Sequence, residues 1–211
     1  MNEAELKSGV LAAASRMESL GINRGRAGNV SARLDHGFII TPTGLAYDAC
    51  QPSDMVFVGL DGKARPGRLP SSEWRFHRDI YVARPEAGAI VHTHAAFATA
   101  LACMEIGIEP FHYMVARFGG RDVRCATYAT FGSQALSDAV LTALKDRNAC
   151  LMAHHGMVVF GRDLEHALDL AVELEALSEQ YWRVLQLGSP LLLPDDEMSR
   201  VLEKFAGYGQ Q

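Results

Sequence analysis

The sequence predicts a layered α/β fold whose sheet is covered on both sides. Three observations lead there. Segments with the 3.6-residue apolar period of helices intermix along the chain with runs of β-branched and aromatic residues. Turn signals join some strand segments as hairpins, so the sheet is not purely parallel. The 211 residues are 48% hydrophobic and 21% charged, enough to bury one sizeable core, and no linker or repeat divides them into more than a single domain over 1–211.

Taken in order, Leu6, Val10, Ala13, Ala14, Met17 and Leu20 mark one face of an opening helix that Gly21 ends. "NVSARL" and "FIIT" flank the turn "DHG" as a hairpin, and "DMVFVGLDGK" is a strand closed by an Asp-Gly turn. "SSEWRFHRDIYVARP" opens on capping residues and stops near Pro85, which predicts a helix. "AGAIVHTHA" is a strand followed by a short helix in "FATALACM". "SQALSDAVLTALKDRN" is a capped amphipathic helix, and "ACLMAHHGMVVFG" gives two strand segments hinged at Gly156. A long helix over 163–187 presents Leu164, Leu168, Ala171, Leu174, Leu177 and Tyr181 on one face, and a last short helix runs through "DEMSRVLEKF".

Several functional classes are disfavoured. The net charge is -5 and the basic residues are scattered, so no nucleic-acid partner is expected. No apolar run approaches the ~20 residues of a membrane span, and "MNEAELKSG" has no secretory pattern. Cys50, Cys103, Cys125 and Cys150 form no CxxC pair and suit reduced, mostly buried thiols in a cytoplasmic protein.

The stretch "VHTHA" carries the chemistry. On a strand, residues two apart point to one side, so His92 and His94 present both imidazoles together at the strand's carboxyl end. Such a pair starts a metal site, although two histidines satisfied by backbone groups would look the same. "AHHG" could supply a third ligand. If that stretch is extended, His154 and His155 face opposite sides, and spacing does not choose between them. His36, His77 and His166 look ordinary.

In "PSSEW", Ser71 and Ser72 stand at a helix start with Glu73 in its first turn, an arrangement that serves either an anion site or simple capping. "GRAGNVS" is a glycine-punctuated turn able to form a nest of N–H groups, and "TPTG" is a second donor-rich turn.

Together "GNVSAR", "TPTG", "LPSSEWRFH", "VHTHA", "PFHYM", "YATFG", "AHHG" and "VLEKF" resemble, in this order and over nearly the whole chain, the class II aldolase/adducin family. The resemblance implies a three-layer α/β/α fold with a mixed, mostly antiparallel sheet, and a homotetramer with sites between subunits. It implies a catalytic zinc (Mn2+ or Co2+ being alternatives) on His92, His94 and His155, with Glu73 as further ligand and acid/base. It implies a phosphate pocket of Asn29, Thr43, Gly44, Ser71 and Ser72, and a catalytic Tyr113 that reaches a neighbouring subunit's site. Phe131 falls at that subunit boundary, and Phe205 and Tyr208 match a mobile tail. Arg26 departs from the family pattern, which has a small hydroxyl residue there; it either adds an ionic contact to the phosphate or points to solvent.

The implied activity is reversible cleavage of a ketose 1-phosphate, such as L-fuculose 1-phosphate, into dihydroxyacetone phosphate and a lactaldehyde-like aldehyde. Cleavage leaves a carbanion, which aldolases stabilise with a Schiff-base lysine or a Lewis-acid metal. Lys7, Lys63, Lys145 and Lys204 all lie outside the candidate site stretches, so the metal route fits. An aldolase of 5-deoxyribulose or 5-methylthioribulose 1-phosphate is the main alternative. A pentulose-phosphate 4-epimerase, a dehydratase, a decarboxylase and a non-catalytic adducin-like scaffold stand behind it.

Overall fold

The computed structural model of the protein describes residues 2–25 and 27–207. Arg26 and Tyr208 lie outside the described residues. Seven strands, β1 (Asn29–Leu34), β2 (Gly37–Ile40), β3 (Val56–Gly59), β4 (Ala89–Thr93), β5 (Arg124–Ala126), β6 (Ala149–Met152) and β7 (Gly156–Gly161), form one sheet in the order β3-β2-β1-β4-β7-β6-β5. Every neighbouring pair is antiparallel except β5 with β6. The sheet is therefore mixed and mostly antiparallel.

Alternation along each strand splits the core into two layers. Val30, Ile39, Phe57, Val91, Leu151 and Val159 face α1 (Glu3–Ser19), α3 (Ala96–Cys103), α5 (Leu164–Leu187) and α6 (Asp195–Ala206). Phe38, Ile40, Val58, Ile90, Met152 and Val158 face α2 (Trp74–Ala83) and α4 (Gln134–Ala143). This is the three-layer α/β/α arrangement. Among the described residues no helix is long and apolar enough to cross a membrane.

The predicted helix periods match the burial closely. Leu6, Val10, Ala13, Ala14 and Met17 are buried in α1, and Gly21 follows its end at φ +74°. Leu20 is the exception, 41% exposed at the helix's C-cap, where the face has turned away from the sheet. The β1–β2 hairpin closes over Asp35 and His36, pairing Leu34 with Gly37. Cys50 and Cys150 are buried, but Cys103 is exposed at the end of α3.

Two local expectations change. The α2 helix starts at Trp74 rather than at the serines, because the Trp74 amide bonds the Ser71 carbonyl at 3.1 Å and makes a turn ahead of the helix. Glu73 is consequently the N-cap, not a first-turn residue, and its carboxylate does not cap. "AHHG" is not extended: residues 153–155 form the turn joining β6 to β7, with His154 at φ +53°.

Candidate active site

The carboxyl end of β4 organises the site. His92 pairs with Asn29 of β1 on one side and Val158 of β7 on the other, and His94 follows just past the strand. His155 enters from the 153–155 turn. The ring centroids form a near-equilateral triangle, 5.0 Å between His92 and His94 and 4.9 Å for each of the other two pairs. Their candidate donor nitrogens all lie within 4.8 Å of one another. The turn resolves the choice that spacing left open: His154 is directed to Glu105, with its Nε2 3.2 Å from that carboxylate.

Close backbone approach makes this possible. A Cβ on Gly28 would sit 2.6 Å from the His92 carbonyl, and one on Gly156 would sit 2.4 Å from the Thr93 carbonyl. Any side chain at either position would push a loop away from the histidine strand. Tyr47 braces the Gly28 loop by donating its hydroxyl to the Gly28 carbonyl at 2.7 Å.

Glu73 completes the cluster. Its two carboxylate oxygens lie 3.1 Å from His92 Nε2 and 3.1 Å from His155 Nε2. His92 Nδ1 donates to the Met157 carbonyl at 2.8 Å, since a carbonyl can only accept. That bond leaves the Nε2 lone pair of a neutral ring aimed into the site. With no hydrogen on Nε2 in that tautomer, His92 faces the Glu73 carboxylate lone pair to lone pair, and neither His92 Nε2 nor Glu73 Oε1 makes a hydrogen bond among the described residues despite these 3.1 Å approaches. Buried polar atoms rarely go unpaired, so these unpaired atoms, in a set of three imidazoles and one carboxylate, fit a divalent ion such as zinc.

Without an ion, the carboxylate and the imidazoles take up each other's charge. Burial opposes ionisation of Glu73, but the His92 and His155 imidazoles outweigh it and hold the carboxyl well below the usual carboxylate range. Burial lowers His94 to about 4, helped by His92 and His155 beside it. Burial disfavours charge on His92 as well, yet Glu73 overrides it and raises this group.

A cleft of about 320 Å³ opens above the cluster, with Glu73, His94 and His155 in its wall. Hydrogen bonds tie the "TPTG" turn to the "LPSSEW" stretch beside it: Ser71 N to the Thr41 carbonyl at 3.0 Å and Thr43 N to the Leu69 carbonyl at 3.1 Å. Thr43, Gly44, Ser71, Ser72 and Asn29 therefore line one space. Tyr128 and Phe131, 62% and 67% exposed, line the same cleft. Tyr128 opens the "YATFG" stretch, in which only Phe131 has a role read from the sequence.

Tyr113 is elsewhere. It opens a 3-10 turn (Tyr113–Phe118), is half exposed, and stacks on Phe205 with rings 8° apart. These two line a separate, more apolar cavity of about 540 Å³ with Phe111, Leu193 and Val201. One chain thus assembles the histidines, Glu73 and the hydroxyl-lined turns, but not Tyr113 or Phe205.

A family model described as the Class II Aldolase and Adducin N-terminal domain matches residues 8–182. The chain belongs to the class II aldolase and adducin family. A 5-methylthioribulose-1-phosphate/5-deoxyribulose-1-phosphate aldolase from Rhodospirillum rubrum is 54% identical over 204 residues, covering 97% of this chain and 92% of the relative. An L-fuculose phosphate aldolase from Escherichia coli is 45% identical over 210 residues, covering 99% of this chain and 98% of the relative. A solved L-fuculose 1-phosphate aldolase superposes with a TM-score of 0.92 at 34% identity, covering 96% of each chain. This chain is a class II aldolase, an enzyme of the carbon–carbon lyase type.

Proposed function

We propose that this aldolase is zinc-dependent and cleaves a 5-deoxy- or 5-methylthio-ribulose 1-phosphate into dihydroxyacetone phosphate and a small apolar aldehyde. One observation carries the chemistry: three imidazoles and an ionised, partly orphaned carboxylate meet beneath a cleft lined with hydroxyls. The 54% identical relative named for those substrates supports this choice of sugar, as do the aromatic walls Tyr128 and Phe131. L-fuculose 1-phosphate is the second candidate, supported by the 45% identical relative named for it.

His92, His94 and His155 would hold the ion, with Glu73 as a further ligand before substrate arrives. The bound ion supplies Lewis-acid stabilisation of the negative charge left when the carbon–carbon bond breaks. Thr43, Gly44, Ser71, Ser72 and Asn29 anchor the phosphate far from that bond and hold the sugar in register. Glu73, ionised beside the imidazoles, exchanges the proton at the carbon that becomes the hydroxymethyl group of dihydroxyacetone phosphate. Tyr113 exchanges the proton of the oxygen that becomes the aldehyde. It sits outside the cleft of its own chain, so it serves a neighbouring subunit in a homotetramer. Phe131 marks that boundary and Phe205 accompanies Tyr113. The free thiols among the described residues suit a cytoplasmic enzyme.

The deciding experiment is a panel of ketose 1-phosphates with enzymatic detection of released dihydroxyacetone phosphate. The highest kcat/KM is expected on the 5-deoxy- and 5-methylthio-ribulose phosphates. A higher value on L-fuculose 1-phosphate reverses the order, and no release from any of them overturns the substrate class.

A further inference from the structure

A continuous chain of buried polar groups runs from Glu73 away from the cleft, between β1 and α2. Asn29 Nδ2 lies 2.9 Å from Glu73 Oε2, and His77 Nε2 lies 2.5 Å from Asn29 Oδ1. Ser31 Oγ lies 2.7 Å from His77 Nδ1 and 2.8 Å from the Tyr81 hydroxyl. Asn29, Ser31, His77 and Tyr81 are each at most 3% exposed.

The direction of every bond follows from one end. An ionised carboxylate only accepts, so Asn29 must turn its NH2 toward Glu73 and its carbonyl toward His77. His77 Nε2 then carries a proton, and its Nδ1 accepts from Ser31. Ser31, having donated, accepts from Tyr81. A neutral His77 suits this pattern; burial and the neighbouring His92 lower its pKa to about 3.

We propose that His77 is a positioning residue for the reaction: by reading the carbonyl of Asn29 it fixes which end of that amide meets Glu73. A side-chain amide is nearly symmetric in shape, and the flipped form would set a carbonyl against the carboxylate. The carboxylate already disfavours that form, and the His77 Nε2–H on the far side adds a second, buried penalty against it by requiring an acceptor there. The locked amide keeps the carboxylate oriented between His92 and His155, and its second N–H remains for the cleft that Asn29 lines. An apolar pairing would fill this interior more cheaply than four hydrogen-bonded side chains. The inference rests on Glu73 being the proton-exchanging group.

The test is a mutant cycle read by kcat, KM and bound metal after dialysis. His77→Met should lower kcat about 10- to 100-fold and weaken metal retention, the usual cost of losing a supporting partner, with KM changed less than about threefold. His77→Gln, which can still donate to Asn29, should recover most of kcat. In an Asn29→Ala background, His77→Met should cost nothing further. Ser31→Ala covers the case in which His77→Met does not fold: it frees the His77 tautomer, lowers kcat about fivefold, and has no effect once Asn29 is alanine. Equal losses in both backgrounds, or a lowered melting temperature with unchanged kcat, overturn the proposal. If instead Glu73→Gln exchanges the dihydroxyacetone phosphate proton at the normal rate, it is the assignment of Glu73 that fails.

Discussion

The histidine cleft and the Tyr113 corner are built in opposite ways. The histidine cluster is assembled within one chain: Glu73 lies 3.1 Å from His92 and from His155, and the donor atoms of His92, His94 and His155 lie within 4.8 Å of one another, in a mostly buried floor. At the corner, Tyr113 is half exposed, rests on Phe205, and borders an apolar hollow that none of those groups enters. On the proposed function, the difference means that holding the ion would need only a folded chain, whereas taking the proton from the oxygen that becomes the aldehyde would need a second one.

His94→Ala gives the sharpest break within the cleft. Loss of about 10³-fold or more in kcat, the scale of removing a preorganised charge stabiliser, should coincide with loss of bound metal by elemental analysis. Full activity in metal-free mutant protein would refute the ligand assignment. Next is Glu73→Gln, expected to lose about 10²- to 10⁴-fold while keeping most of its metal. Hydrogen exchange of dihydroxyacetone phosphate with solvent, followed by NMR, should fall with it.

Tyr113→Phe probes the other region. Cleavage should slow about 10²-fold, near the lower bound for a general acid–base group, and the exchange reaction should stay close to normal. Mixing Glu73→Gln and Tyr113→Phe subunits under exchange conditions then tests the two-chain arrangement directly. Hybrid oligomers should regain activity that neither parent has, and silence in the hybrids would place both groups on one chain.

The smallest effect concerns stability. His77 stays neutral down to about pH 3 in the fold, against an ordinary value of 6.5. Between those values the unfolded chain takes up a proton that the folded chain refuses. Stability therefore rises with pH through that window and falls on acidification, by up to about 1.4 kcal/mol per pH unit from this residue. Urea denaturation of His77→Gln at fixed protein concentration should show a flatter acid limb than the parent; identical limbs would remove His77 as the cause.

What the sequence made legible follows from how local each cause is. His92 and His94 share a face because a strand repeats every two residues, which needs no tertiary information. Spacing could not separate His155 from His154, and only the resemblance chose His155, because the β6–β7 pairing, not the sequence spacing, makes the turn at 153–155. β5 is three residues long and owes its existence to pairing with β6, so no period announces it. His77 looked ordinary one residue at a time. A signal was present: Glu73, His77 and Tyr81 recur every four residues on the inward side of α2, opposite Asn29 and Ser31 two apart on β1. A polar stripe on a buried helix face is what single-residue inspection overlooks. Tyr113 was singled out through family resemblance alone, since it lies away from the histidine cluster and stacks on Phe205 instead.

The hairpin that delivers His155 has a mechanical consequence. An ion gripped there fastens two stretches about 60 residues apart in the chain, and Glu73 ties in a third. A bound metal would thus be a rivet through the middle of the sheet as well as a reagent, and its affinity would be drawn partly from closing those long loops. Chelation should accordingly loosen amide protection along the β4–β7 ladder before it disturbs the distant β2–β3 edge, which no ligand touches.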